Sequence, residues 1–169
     1  MLSSNVTSVD PWDIIAYEVR MLFGLSRLLA ASEDAPFGEI INNAMVESAC
    51  LHARVLVDIL VPRQSVRADD IRLDEILPGF QHRSLDNLRA AYGDAKIPGS
   101  PCWRLNKMIM HPTTMRATSH DYTNLLNKLL PLIETVLQEV DASRRTGGRE
   151  SLSCSPSASY VGLCAKTSS

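Results

Sequence analysis

The stretch that decides the fold class is residues 10–31, DPWDIIAYEVRMLFGLSRLLAA. Asp10 is a typical helix-capping residue, Pro11 suits the first helical position, and Asp13 places a negative charge in the first turn. Apolar side chains then recur at the helical period, at Ile14, Tyr17, Met21, Leu25 and Leu28. Together these signals predict a helix over residues 11–31.

The same signals predict further helices along the chain. They cover residues 37–61, 69–77, 84–92 and 101–111, and a last, long amphipathic helix begins at Asp121. Pro62 and Pro112 end two of these helices, because proline cannot continue a helix. No stretch alternates apolar and polar residues at the strand period. The expected fold is therefore all-α, an up-and-down bundle of four main helices plus short connecting helices.

Length and composition favour one compact domain. The chain has 169 residues, of which 45% are hydrophobic. We expect a flexible N-terminus at residues 1–10, a helical domain at 11–141 and a disordered, serine-rich tail at 142–169. No apolar stretch reaches the roughly 18 residues that a membrane span needs, and no secretory signal opens the chain. These observations predict a cytoplasmic protein that does not contact a membrane.

The charge distribution restricts the possible partners. The net charge of the whole chain is −2, but residues 1–141 hold 13 basic and 18 acidic residues, a net charge of −5. Broad electrostatic binding of duplex nucleic acid needs a basic surface, so it is not expected. The exception is a cationic segment, residues 95–120, which contains no carboxylate. Its basic side chains are Lys96, Arg104, Lys107 and Arg116, with His111 and His120.

The centre of the cationic segment is a candidate catalytic site. On an α-helix, seven residues turn by about 700°, so Arg104 and His111 would share a face, with Lys107 about one turn before the histidine. A permanently charged guanidinium beside an imidazole that exchanges a proton near neutral pH suits phosphate chemistry. Lys107 and Arg116 are candidate anion-binding residues. The alternative is that Arg104 and Lys107 are solvated surface charges and that His111 helps to end a helix.

An Arg, six intervening residues and a His resemble the R-x(4–6)-H signature of the HEPN superfamily, small all-α proteins that include RNA-cleaving toxins and abortive-infection proteins. The resemblance covers roughly residues 11–141 and includes the place of the motif, on a helix before the long closing helix. It implies a homodimer that brings two motifs together and cleaves RNA without a metal, in a bacterial defence or toxin–antitoxin system. His111 would transfer protons and Arg104 would stabilise the transition state.

Two other functions remain open at this point. One is a catalytically inactive HEPN-like module that binds a partner protein or a nucleotide. The other is a plain helical interaction scaffold. The three functions differ in whether RNA is cleaved, whether a ligand is bound without turnover, and whether the cationic side chains adjoin a cleft. The sequence indicates no cofactor and no metal site, because its cysteines and histidines lack metal-ligand spacing.

The second helix carries a narrow polar strip that is expected to support the fold. Glu47, Arg54 and Asp58 line one edge of this otherwise apolar helix, and we expect them to pair with one another. A structural clamp is the favoured interpretation; the functional alternative has Glu47 or Asp58 orienting His111. His52 lies within the apolar arc of the same helix and is expected to be a hydrogen-bonded core histidine.

Overall fold

The all-α prediction is confirmed by a computed structural model, which describes residues 9–31, 38–62, 67, 69–109 and 122–146. These residues contain helices and connecting segments but no strand. The α-helices are α1 (Pro11–Ala31), α2 (Glu39–Leu60), α3 (Leu73–Ile76), α4 (Arg83–Tyr92), α5 (Pro101–Arg104) and α6 (Tyr122–Thr146). A π-helix, Leu105–Ile109, directly continues α5.

Local sequence signals account for where several helices begin and end. The Asp10 carboxylate accepts a hydrogen bond from the backbone N–H of Trp12 at 2.9 Å, so α1 begins as the sequence predicts. At α5, the Ser100 hydroxyl accepts from the N–H of Trp103 at 3.1 Å, with Pro101 in the first helical position. The α2 helix stops one residue before Val61, as Pro62 requires.

The acidic helix expected at residues 69–77 is shorter than predicted. Only Leu73–Ile76 are helical. Asp70 accepts a hydrogen bond from the backbone N–H of Arg67 at 2.8 Å, and its own N–H donates to the carbonyl of Arg67. The aspartate therefore closes a turn, which competes with helix formation. Arg72, with extended backbone angles, then precedes the helix.

The core forms where α1, α2, α4 and α6 meet. Helix α2 packs against α1 and α6, and α4 packs against α6. The arc of α2 that contains Ala49, Cys50, Ala53 and Val57 is buried. The opposite arc is only partly covered, because Ile41 and Leu51 remain exposed. The apolar positions of α6 are also buried, at Leu125, Leu126, Leu129, Ile133, Val136 and Val140.

Helix α6 continues beyond the domain boundary expected at residue 141. It ends at Thr146, so residues 142–146 belong to the folded part rather than to a disordered tail. The physical reason is the buried side chain of Arg144, whose guanidinium carbon lies 3.9 Å from the ring centroid of Trp12 at the start of α1. Apolar periodicity misses this contact because its buried residue is an arginine.

Candidate functional site

The α5 helix and the π-helix position the described part of the cationic segment. The backbone N–H of Arg104, the last residue of α5, donates to the carbonyl of Ser100 at 2.9 Å. The Ser100 hydroxyl in turn donates to the carbonyl of Asp94 at 2.6 Å, which ties the start of α5 to the preceding turn. The chain before this turn requires a glycine at Gly93, because its φ is 73° and a Cβ atom there would lie only 3.0 Å from Ser100 Cβ.

The π-helix changes the angular spacing from which Arg104 and His111 were predicted to share a helix face. That prediction assumed an α-helix throughout residues 101–111, but the hydrogen-bonding pattern widens directly after Arg104. Because a π-helix bonds residue i to i+5, the angle between successive side chains is smaller than in an α-helix. The α-helical calculation therefore does not hold across Leu105–Ile109. His111 and Arg116 lie outside the described residues.

The described side chains of the segment divide into an anchored side and a solvent side. Cys102 and Leu105 are buried, and the π-helix packs against α2. Arg104 is partly exposed, and Lys107 is exposed. Lys96, earlier in the segment, is also exposed. Two apolar side chains thus fix the segment to the core while its cations reach solvent, an arrangement that can bind an anion.

In the polar strip of α2, Arg54 and Asp58 form an ion pair. Arg54 Nε lies 3.5 Å from Asp58 Oδ2, and both side chains are partly exposed. An i, i+4 pair of this kind stabilises a helix by about 0.3–0.5 kcal/mol. Glu47 is exposed, and its charge adds to the effect of burial in raising the pKa of Cys50 to about 12. The pair fits the expected structural role of Arg54 and Asp58.

His52 contacts two residues of α1: the buried Glu18 and the half-exposed Tyr17. Its Nδ1 lies 2.6 Å from Oε2 of Glu18, and both residues are over 90% buried. The Tyr17 ring packs edge-on against the imidazole, with 5.9 Å between centroids. The expectation of a hydrogen-bonded core histidine is confirmed. Such a carboxylate orients the imidazole and selects its tautomer.

Glu18 is the residue that the sequence analysis missed. It lies on the buried face of α1, at the helical spacing of Ile15, Leu22 and Ser26. A carboxylate among buried positions needs a polar partner, since an unpaired buried charge is strongly destabilising. The position of Glu18 on a buried helix face therefore indicates that it has a polar partner. The position of His52 on the apolar arc of α2 indicates the same.

A long apolar groove lies between α1 and α6 and has a volume of about 740 Å³. We call it the α1–α6 groove. Its apolar lining includes Trp12, Ile15, Val19, Phe23, Leu137 and Val140. Arg20 and Arg27 line it from α1, while Glu134, Asp141 and Arg145 line it from α6. Burial raises the pKa of the Glu134 carboxyl, and Arg145 pairs with Asp141.

Comparisons of the chain with protein-family models, curated proteins and solved structures gave no match. Within the described ranges, no three side chains of His, Cys, Asp or Glu come together as a potential metal site. The helices in those ranges include none with the length and hydrophobicity to span a bilayer.

Proposed function

We propose that this protein is a HEPN-like helical protein that acts on RNA through residues 104–111, as a metal-independent ribonuclease. Arg104 stabilises negative charge on the phosphorane-like transition state. His111 assists removal of the 2′-OH proton or protonation of the leaving 5′-oxygen, which produces a cyclic phosphate end. Lys107 and Arg116 bind neighbouring phosphates. The setting that the resemblance implies is bacterial defence or a toxin–antitoxin pair.

One observation carries this proposal: cations reach solvent from a segment that is anchored in the core. Leu105 is 1% exposed, while Arg104 and Lys107 on either side of it remain accessible. Residues 95–120 contain no carboxylate, so the segment as a whole carries a positive charge. The π-helix at this place is a further support, since π-helical turns are frequent at functional sites.

Homodimerisation belongs to the same proposal, because HEPN active sites combine the motifs of two protomers. Exposed apolar side chains on the α1–α2 pair offer a surface for a second copy. Tyr17 and Leu28 of α1 are 48% and 53% exposed, and Ile41 and Leu51 of α2 are 51% and 37% exposed. Light scattering should detect a dimer, and Leu51→Glu should convert it to a monomer. A wild-type monomer at high concentration would contradict this part.

The test of the catalytic proposal is RNA cleavage by the full chain in the presence of EDTA. We expect products with 2′,3′-cyclic phosphate ends. Arg104→Ala should lower the rate about 10²–10³-fold, and His111→Ala about 10²–10⁴-fold. Lys96→Ala is the matched control, because it removes a cation of the same segment outside the motif. Equal, trace-level cleavage by wild type and His111→Ala would overturn the assignment.

A catalytically inactive module that binds a nucleotide or a partner protein is the second candidate. The observation that favours it is Leu105, a buried residue at the position where HEPN motifs usually carry a polar residue after the arginine. This candidate predicts nucleotide binding that depends on Arg104 and Lys107, without turnover. Equilibrium binding of a labelled nucleotide to both alanine variants separates the two candidates. If the chain neither binds nor cleaves, a helical scaffold is the remaining function.

A further inference from the structure

We propose that His82 is a proton-operated switch between α4 and α6. While Nδ1 of its ring carries no proton, His82 caps the start of α4. When Nδ1 is protonated, the cap is lost, the first turn of α4 opens, and the charged ring pairs with Glu139 of α6. The switch is independent of the Arg104–His111 segment. It depends on which ring nitrogen faces which helix.

The Nδ1 atom of His82 faces the first turn of α4. His82 directly precedes this helix and has extended backbone angles. Its Nδ1 accepts a hydrogen bond from the backbone N–H of Ser84 at 3.3 Å and lies 2.8 Å from the Ser84 hydroxyl oxygen. The first N–H groups of a helix lack partners within the helix, and this bond satisfies one of them. Accepting it requires a lone pair on Nδ1, and therefore an Nδ1 without a proton.

The other ring nitrogen of His82 faces α6. Its Nε2 lies 3.7 Å from Oε2 of Glu139, and both side chains are 42% exposed, so water can deliver a proton to the ring. A carboxylate near one imidazole nitrogen favours the tautomer that carries the proton on that nitrogen. Glu139 thus favours the neutral ring with its proton on Nε2. The same tautomer leaves Nδ1 free to accept from Ser84, so the two contacts support each other.

A second proton on the ring removes the cap. The imidazolium carries a hydrogen on Nδ1, which can donate to the Ser84 hydroxyl but can no longer accept from the Ser84 N–H. Ser84 is 5% exposed, so its freed N–H can bond to water only if the turn opens. The new positive charge also lies at the N-terminus of α4, where the helix dipole disfavours it, while Glu139 attracts it. Protonation should therefore open the first turn and strengthen the contact with α6.

The other charged groups near the ring do not reverse this direction. The ring lines a polar cavity of about 310 Å³ together with Asp74, Asp86 and Arg89. Asp86 and Arg89 pair with each other at 2.9 Å, and Asp74 pairs with Arg72. Arg83, the first residue of α4, is exposed, and its positive charge adds to the cost of an imidazolium at this place. Because Asp86 lies in the first turn of α4, opening of that turn should also change the cavity.

The test is amide hydrogen exchange of the full chain, measured by NMR at pH 8 and pH 5, the range within which histidine changes its charge. The protection factor, which corrects for the intrinsic pH dependence of exchange, should fall about five-fold for the Ser84 amide at pH 5, as expected for a lost helix cap. The Trp103 amide is the internal control, because the Ser100 hydroxyl that caps it does not titrate. Its protection factor should change less than about two-fold. The ring nitrogen shifts of His82 should show an unprotonated Nδ1 at pH 8.

Two variants separate the ring from the carboxylates around it. Asparagine is among the best capping residues and does not titrate, so His82→Asn should keep the Ser84 protection factor within about two-fold between the two pH values. Glu139→Gln should retain the pH response, because the atom that loses its lone pair is Nδ1 of His82. Circular dichroism at both pH values verifies that each variant keeps its helical content.

Three results would overturn the proposal. Equal protection of the Ser84 amide at pH 8 and pH 5, relative to Trp103, would show that the cap does not depend on the proton. A five-fold loss that persists in His82→Asn would assign the response to a carboxylate. A proton on Nδ1 at pH 8 would show that the ring does not accept from Ser84.

Discussion

The buried contact between Glu18 and His52 should contribute more to the free energy of unfolding than a surface ion pair does. The two side chains meet at 2.6 Å between α1 and α2, with relative exposures of 9% and 8%. Each lies 13 residues from the end of its helix that faces the α1–α2 connection, so the contact fixes the register of the two helices. Replacing either residue with leucine leaves the other buried without this partner.

The expected cost follows from the burial of the remaining group. An unsatisfied buried polar group costs about 1–3 kcal/mol, so Glu18→Leu and His52→Leu should each lower the free energy of unfolding by about that amount. At about 2–4 °C per kcal/mol for a chain of this size, the melting temperature should fall by roughly 2–12 °C. The double variant replaces both polar groups with apolar ones, so its loss should be smaller than the sum of the two single losses by about 1–3 kcal/mol.

The measurement is urea denaturation followed by circular dichroism, arranged as a double-mutant cycle. A surface pair of similar geometry provides the control: Arg89 Nη1 lies 2.9 Å from Asp86 Oδ1, and both residues are exposed. Its cycle should show a coupling of at most about 0.5–1 kcal/mol. If the Glu18 and His52 losses simply add, the buried contact is not a stabilising interaction and the reasoning fails.

Two further predictions concern residues of the core. Burial, with a contribution from Glu47, raises the pKa of Cys50 from its ordinary 9.0 to about 12, so the folded chain keeps a proton that the unfolded chain loses above pH 9. Stability should therefore fall with rising pH between about 9 and 12, by up to about 1.4 kcal/mol per pH unit, and urea titrations of Cys50→Ala should lack this component. Trp12→Leu should destabilise the chain by about 2 kcal/mol or more and shorten α6, because it removes the ring beneath the buried Arg144; an unchanged helical signal and midpoint would contradict that role.

The parts of the fold that the sequence predicted well depend on contacts between near neighbours. The cap formed by Asp10 and the hydroxyl of Ser100 act within three residues of their partners, and both helix starts were predicted from them. The Glu18–His52 contact joins residues 34 positions apart, so no local sequence pattern predicts it. Each residue is nevertheless a polar side chain on a buried helix face, which is uncommon. The α1–α6 groove is even harder to predict from the sequence, because it is a space between two helices that both pack on other elements.

The Arg104–His111 segment shows why a local pattern of residue types does not by itself determine the geometry of a site. The residue types predicted a cationic site, and the solvent-facing Arg104 and Lys107 are compatible with that chemistry. The prediction that seven residues return to one face assumed α-helical spacing, and Leu105–Ile109 do not have it. Because Leu105 is held in the core and the π-helix packs on α2, the direction of each cation depends on this packing as well as on its sequence position. A substitution such as Leu105→Ala should therefore reduce RNA binding or cleavage as well as stability, although it leaves every charge in place.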